Sequence, residues 1–381
     1  MREYVLVILV AAAATYLLCS LARVLAVRVG AVAQVRDRDV HAIPIPYFGG
    51  IAMLGGLVIS ILVAWNLPFL GGEGTSQMFG DVAVVLVGGA VVCLVGVIDD
   101  VFELDAITKL AGEVVAAGIV LIGGVQFVWL PIPGASGATP FSLDGSQASL
   151  LTLVVIVGTV NAVNFVDGLD GLAAGVVGIG AIAFFGYAYL IVAANNLERS
   201  SPAALLTAAL IGACLGLLPH NFYPARMFMG DSGALLIGFV LACAAITFTG
   251  QYDVTTLNQG IGGASASVVP ALLPLVLPIA ILVVPFLDMG LAVIRRTRAG
   301  RSPFAPDKQH LHHRLLEIGH SHRRAVLLMY MWACLVAGGA VLVSLFTGWQ
   351  SVVAFAVILA VAVVLTFGLP GARGTRERTS L

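Results

Sequence analysis

Side chains that could bind a metal ion and phosphate recur where long apolar stretches of this chain begin or end. Asp99 and Asp100 close one apolar stretch, and Asp231 opens another. A further polar run contains Asn161, Asn164, Asp167 and Asp170. Oxygen ligands beside basic residues suit Mg²⁺, or Mn²⁺, which keeps some of its waters and shares its coordination with phosphate. The pattern predicts a metal and phosphate site.

The spacing within these groups supports this interpretation. Asn161, Asn164 and Asp167 are three residues apart, so a continuing helix would present them on one face, and Asp170 follows one turn later. The sequence Gly-Asp-Ser-Gly at 230–233 would offer free backbone N–H groups to an anion at a helix start. The alternative for the motif at 230–233 is that its Asp or Ser is an ordinary cap of a helix.

A basic stretch from Arg295 to Arg324 contains a histidine cluster. His310, His312 and His313, with Arg314 after them, favour donation of hydrogen bonds to phosphate oxygens. A zinc site is not favoured, because neither a cysteine nor a Glu-x-x-His partner stands at the required spacing. His320 and His322 follow without a clear pattern, and we interpret them as part of a solvated loop.

Composition shows which elements must position these residues. The chain is 60% hydrophobic and 10% charged, whereas a soluble domain carries about 25% charged residues. Apolar runs of about 17 to 25 residues can cross a bilayer. We predict an all-α polytopic membrane protein with about eleven transmembrane helices, at 4–27, 48–67, 81–98, 110–130, 150–166, 172–194, 203–219, 233–250, 270–294, 326–346 and 350–367.

The basic residues predict the orientation of these helices. Of the 19 Lys and Arg residues, only Arg2 and Arg199 lie outside if the N-terminus is outside, and the other seventeen lie inside. Because Lys and Arg concentrate in cytoplasmic loops, we predict an external N-terminus, a cytoplasmic C-terminus and a cytoplasmic position for every polar cluster. The expected organisation is one transmembrane domain over 1–370 and a disordered cytoplasmic tail over 371–381. The external loop 131–149 is expected to form a small hairpin.

Six motifs, in order, resemble a known family, the polyprenyl-phosphate N-acetylhexosamine-1-phosphate transferases of the glycosyltransferase family 4 type. The resemblance covers roughly His41 to Met329. Its motifs are Pro46–Gly50, Gly96–Asp100 followed by Lys109, Asn161–Leu172, Phe228–Gly233, Asp288 before Arg295 and Arg296, and Ser302–Phe304 with His310–Arg314.

The resemblance implies an enzyme that moves a sugar-1-phosphate from a UDP-sugar to a polyprenyl phosphate and releases UMP. It implies that Asp231 and Asn164 bind Mg²⁺ and that Asp99 and Asp100 lie close to the metal and the acceptor. Asp99, Asp100 and Asp231 would be the catalytic residues. Asp167 and Phe228 would contact uridine, and the histidine cluster would contact the diphosphate and sugar. The further substrate-binding residues would be Asn161, Asp170, Lys109 and Arg314. Asp99 could deprotonate the lipid phosphate or form a covalent intermediate, and the sequence does not separate these two roles. A phosphate monoester is already largely ionised near neutral pH, which favours direct attack by the lipid phosphate.

The His-x-His-His-Arg arrangement is similar to the UDP-N-acetylglucosamine branch of the family. The alternatives are the phospho-MurNAc-pentapeptide transferase of peptidoglycan synthesis and an enzyme for another UDP-N-acetylhexosamine. Two residues depart from the family pattern: Asp39 stands where relatives usually have Lys, and Glu113 stands where many have Gln.

The excess of Arg over Lys is typical of a GC-rich genome such as an actinobacterial one, so the acceptor is expected to be decaprenyl or undecaprenyl phosphate in a bacterial plasma membrane. The expected product serves cell-wall or surface polysaccharide synthesis. No nucleic-acid partner is expected, and a homodimer is left open.

Two other classes of protein fit the sequence less well. A secondary transporter would place its binding groups near the membrane midplane, often in repeated halves, whereas these carboxylates lie at helix ends and no repeat is visible. A non-catalytic scaffold for glycan assembly would not require metal-binding carboxylates.

Overall fold

The computed structural model describes residues 1–33, 44–134, 137–194, 201–251, 297–298, 321–345 and 349–368. Within them the helices are α1 (Arg2–Val29), α2 (Gly49–Trp65), α3 (Ser76–Phe102), α4 (Ala106–Ile122), α5 (Gly145–Val166), α6 (Leu172–Ala194), α7 (Pro202–Asn221), α8 (Gly230–Gln251), α9 (His322–Leu345) and α10 (Trp349–Gly368). The strands are β1 (Val32–Ala33), β2 (Ile45–Pro46), β3 (Trp129–Gly134) and β4 (Gly137–Ser142).

The helical architecture confirms an all-α membrane protein. In the described part of the chain, seven helices are long and apolar enough to cross a membrane, namely α1, α3, α5, α6, α7, α8 and α9. Ten of the eleven predicted segments coincide with described helices, and the segment 270–294 lies outside the described residues. The number of spans therefore stays a prediction, as does the division into a domain and a tail.

The predicted boundary at 130 is wrong. Helix α4 ends at Ile122, because Gly123 and Gly124 follow it and Gly124 adopts a left-handed conformation with φ 85°. The apolar run then continues into β3, which begins at Trp129 and pairs antiparallel with β4, with Pro131 opposite Pro140. The hairpin expected in this loop is confirmed.

Helix α8 is the centre of the bundle. In its most apolar stretch 94% of the residues are buried, and it packs against α2, α3, α5 and α7. Glycines allow the close approach at its start. A Cβ atom added to Gly50 would lie 2.3 Å from the backbone nitrogen of Gly233, and one added to Gly96 would lie 2.3 Å from that of Ser232. The end of α3 is thereby held against the first turn of α8.

A tight turn joins α3 to α4 and brings the two helices back side by side. Glu103 ends α3 in the left-handed region with φ 52°. Asp105 then caps α4 by accepting a hydrogen bond from the backbone N–H of Thr108 at 3.4 Å. This cap satisfies one of the N–H groups that a helix start leaves unpaired. The reversal returns the first turn of α4 to the end of α3.

Candidate functional site

Three charged side chains from three helices meet at one end of the bundle. The Lys109 ammonium of α4 lies 2.8 Å from Asp99 Oδ2 of α3 and also bonds Asp231 Oδ2 of α8. The backbone N–H of Leu104 donates to Asp99 Oδ1 at 2.7 Å, which holds that carboxylate in place. The two carboxylates therefore share one cation, and their negative charge is directed at a common point.

Helix α5 adds an amide to this group. Asn164 Nδ2 lies 3.5 Å from Asp231 Oδ2, so Asp231 is contacted from both α4 and α5. In the sequence, Asp231 is 122 residues away from Lys109 and 67 residues away from Asn164. The structure thus brings together Asp99, Lys109, Asn164 and Asp231, four of the residues selected from the sequence.

Asp100 has a different environment from its neighbour Asp99. Its carboxylate accepts hydrogen bonds from the backbone N–H of Asp231 at 2.8 Å and of Ser232 at 3.3 Å. A carboxylate in this place caps α8 from another helix and complements the positive end of the helix dipole. Asp100 therefore positions Asp231, and both of its oxygens are engaged by backbone.

Asn161 lies one turn before Asn164 on α5 and contacts Glu113 of α4. Its Nδ2 donates to Glu113 Oε2 and, at 2.9 Å, to the carbonyl oxygen of Val157. Glu113 is only 1% exposed, and within the described residues its Oε1 has no hydrogen-bond partner. From the sequence, Glu113 was only a departure from the family pattern, with no predicted place at the site.

Asp167 and Asp170 follow the end of α5. Burial and the nearby carboxylates of Asp231, Asp100 and Asp170 raise the pKa of Asp167 to about 8. Asp170 Oδ2 accepts a hydrogen bond from the backbone N–H of Ala225 at 3.0 Å. Asp170 thus ties the turn before α6 to the loop before α8, whereas Asp167 keeps its carboxyl near those of Asp231 and Asp100.

Phe228 lies in the loop that leads into α8. Its backbone N–H donates to the carbonyl oxygen of Pro46 at 2.9 Å, and its ring centroid is 6.0 Å from that of Tyr47. The backbone N–H of Gly49 in turn donates to the Phe228 carbonyl oxygen at 3.1 Å. These contacts place the motif at 46–50 beside the start of α8, next to Asp231.

Several residues that support this end of the bundle were missed from the sequence. Asn221, 2% exposed, accepts from the backbone N–H of Gly171 at 3.1 Å and donates to the carbonyl oxygen of Met227 at 3.1 Å. Tyr330 donates to the carbonyl oxygen of Gly171. A lone Asn at the end of an apolar helix is the only sequence signal that could have indicated this network.

The interpretation of His322 as solvated is wrong. It begins α9, is 8% exposed and stacks on Tyr223 with ring centroids 4.4 Å apart. Packing against this aromatic ring removes it from water. His320, which was interpreted in the same way, lies outside the described residues, as do His310, His312, His313 and Arg314.

The donor set fits a hard divalent cation. Within the described ranges, no three His, Cys, Asp or Glu side chains form a ready-made metal site. Asp231 and Asp99 nevertheless supply oxygen atoms at the place where the Lys109 ammonium already binds between two carboxylates, and the amide of Asn164 lies beside them. Mg²⁺ is suited to such an incomplete set, because it keeps waters and takes further ligands from phosphate.

The chain is similar to known proteins over nearly its whole length. The sequence model of Glycosyl transferase family 4 matches residues 82–249. The Decaprenyl-phosphate N-acetylglucosaminephosphotransferase of Mycolicibacterium smegmatis is 46% identical over 367 residues, which cover 96% of this chain and 88% of the relative. The protein of the same name from Mycobacterium tuberculosis is 46% identical over 341 residues, 89% of this chain and 82% of the relative.

A more distant relative comes from Bacillus subtilis. It is named Probable undecaprenyl-phosphate N-acetylglucosaminyl 1-phosphate transferase and is 30% identical over 332 residues, which cover 86% of this chain and 81% of the relative.

Proposed function

Because the chain belongs to glycosyl transferase family 4, we propose that it transfers N-acetylglucosamine-1-phosphate from UDP-N-acetylglucosamine to decaprenyl phosphate. The names of the two mycobacterial relatives, each 46% identical to this chain, support both the sugar and the decaprenyl acceptor. The relative named for undecaprenyl phosphate is 30% identical, so it gives weaker support for that longer lipid.

The observation that carries the proposal is the acidic group formed by Asp99, Asp100 and Asp231. A phosphoryl transfer needs positive charge near the diphosphate and fixed groups that orient both substrates. Asp99 and Asp231 attract a cation at the end of membrane helices, where a water-soluble donor and a lipid phosphate can meet. A transporter would instead be expected to bind its substrate near the membrane midplane.

The reaction balances without a further reactant. An oxygen of the lipid phosphate forms a bond to the β-phosphorus of the UDP-sugar, and the bond from that phosphorus to the bridging oxygen breaks. UMP leaves with the electron pair of that bond, and the product is the lipid diphosphate sugar. The lipid phosphate is largely ionised near neutral pH, so direct attack requires no protein nucleophile.

Each residue has a proposed task in this reaction. Asp231, Asp99 and Asn164 would hold Mg²⁺, which would neutralise diphosphate charge when bound. Asp100 holds the first turn of α8 and thereby Asp231. Asp167 and Phe228 would bind uridine.

The residues outside the described ranges complete the proposed site. His310, His312, His313 and Arg314 would bind the donor's diphosphate and sugar. We place these residues and the Asp231 group on the cytoplasmic side of the bacterial plasma membrane, with eleven spans and an external N-terminus, because seventeen of nineteen basic residues then lie inside.

Purified protein in detergent tests the proposal. Decaprenyl phosphate and Mg²⁺ are combined with one UDP-sugar at a time, and UMP release and the mass of the lipid product are measured. We expect one UMP for each decaprenyl-diphospho-N-acetylglucosamine formed, and loss of both products in Asp231→Asn and in EDTA. Product with UDP-MurNAc-pentapeptide alone, or none with any UDP-sugar, would refute the assignment.

A further inference from the structure

The pair of Glu113 and Asn161 lies one helical turn deeper than the acidic group. Lys109 and Glu113 are four residues apart on α4, and Asn161 and Asn164 are three apart on α5, so each helix presents its two side chains on one face. Helix α4 begins, and α5 ends, at the Asp231 end of the bundle. Because Glu113 bonds Asn161, this pair forms a layer beneath the contacts of Asp231 with Lys109 and Asn164.

The hydrogen bonds determine which way the Asn161 amide points. An amide nitrogen has two protons to donate, and Asn161 Nδ2 lies against two acceptors, Glu113 Oε2 and the carbonyl oxygen of Val157. The reverse orientation would place the amide oxygen against these two acceptors without a proton between them. Asn161 Oδ1 is therefore turned away from both, and it is the one atom of the amide left to bind a ligand.

Glu113 is almost fully buried beside this amide. It is 1% exposed, and its second oxygen, Oε1, has no hydrogen-bond partner among the described residues. An incompletely paired buried carboxylate is costly to keep, so packing alone does not account for it. A residue with that cost and a bond to a site amide is expected to have a functional role.

We propose that Glu113 is a positioning residue that orients Asn161, so that Asn161 Oδ1 accepts a hydrogen bond from an O–H or N–H group of the UDP-sugar. This role rests on the proposed function, since it requires a donor with such groups. Glu113 itself does not touch the substrate. It acts by accepting one of the two amide protons of Asn161, while the carbonyl oxygen of Val157 accepts the other.

Steady-state kinetics with the full-length enzyme separate this role from a general structural one. Glu113→Ala should lower kcat/KM for UDP-N-acetylglucosamine about tenfold or more, the effect of one lost hydrogen bond, and leave the KM for decaprenyl phosphate unchanged. Glu113→Gln should recover most of the loss, because its amide oxygen can accept the same proton. In an Asn161→Ala background, Glu113→Ala should have no further effect on donor kinetics, since coupled residues are not additive.

Asn161→Asp keeps the test valid if Glu113→Ala does not fold. This variant retains an oxygen toward the ligand but offers no proton to Glu113, so its donor kcat/KM should fall as far as that of Asn161→Ala. Normal donor kinetics in Asn161→Asp or in folded Glu113→Ala, or additive losses in the double variant, would overturn the positioning role. Failure of the wild-type enzyme to release UMP would instead refute the proposed function.

Discussion

Asp100→Asn tests whether Asp100 acts by capping α8. Its carboxylate receives the backbone N–H groups of Asp231 and Ser232 at 2.8 and 3.3 Å. An amide retains one acceptor oxygen and presents an NH₂ group to the other N–H. The loss of one hydrogen bond to a charged acceptor costs about 1.5–3 kcal/mol, and the loss of negative charge at the helix start adds about 0.3–1 kcal/mol.

The assay is thermal unfolding of the purified protein in detergent with excess EDTA. Without a metal ion, the capping role predicts a lower melting temperature for Asp100→Asn than for the wild type. Transfer activity with Mg²⁺ should also fall, because Asp231 is no longer held in place. Asp105→Asn is the matched control: Asp105 also caps a helix, α4, but it is exposed and bonds no residue of the acidic group, so its effect on both measurements should be small.

A second variant reaches the same cap from the other side. A Cβ atom on Gly230 would lie 2.4 Å from Asp100 Oδ2, and Gly230 has φ 70°, so Gly230→Ala should also lower the melting temperature in EDTA.

If Asp100 serves only as a metal ligand, removing its charge from an acidic group should leave the metal-free protein equally stable or more stable. An unchanged or higher melting temperature for Asp100→Asn in EDTA would therefore refute the capping argument.

The sequence was sufficient to predict most helices because a membrane helix must be a long apolar run. It failed at 110–130, where Trp129 and Leu130 extend the apolar run into a strand. Apolar composition alone does not separate a strand from the end of a helix. The Gly123-Gly124 pair was the signal that could have marked the boundary.

The residue types of the site were predictable, but their partners were not. Carboxylates at helix ends indicated where they would gather. The bonds of Asp231 to Lys109 and of Asp100 to the start of α8 join positions 122 and 131 residues apart, and only the packing of the helices brings them together. The same limit explains why Glu113 was noted as a departure without a role.

Three further measurements test the orientation, the histidine cluster and the acidic group. A cysteine at Glu73 should react with an impermeant thiol reagent on intact cells and one at Ser302 should not, with wild-type labelling as background; labelling at Ser302 would contradict the external N-terminus. His312→Ala should lower kcat/KM for the UDP-sugar about ten- to a hundredfold through one lost charge-assisted hydrogen bond, whereas Arg376→Ala should not lower it. Equal effects of the two substitutions would mean that the histidine cluster is only a solvated loop. The pKa of Asp167 is about 8 in the folded protein against an ordinary 3.8, so the folded state holds a proton that the unfolded chain has lost. Protonation of Asp167 therefore stabilises the folded protein fully below about pH 4, and this stabilisation is lost as the pH rises to about 8. In EDTA, the melting temperature of Asp167→Asn should therefore fall less steeply than that of the wild type between pH 5 and about 8 and run parallel to it above that, and identical slopes over the lower range would show that Asp167 is not held in its neutral form.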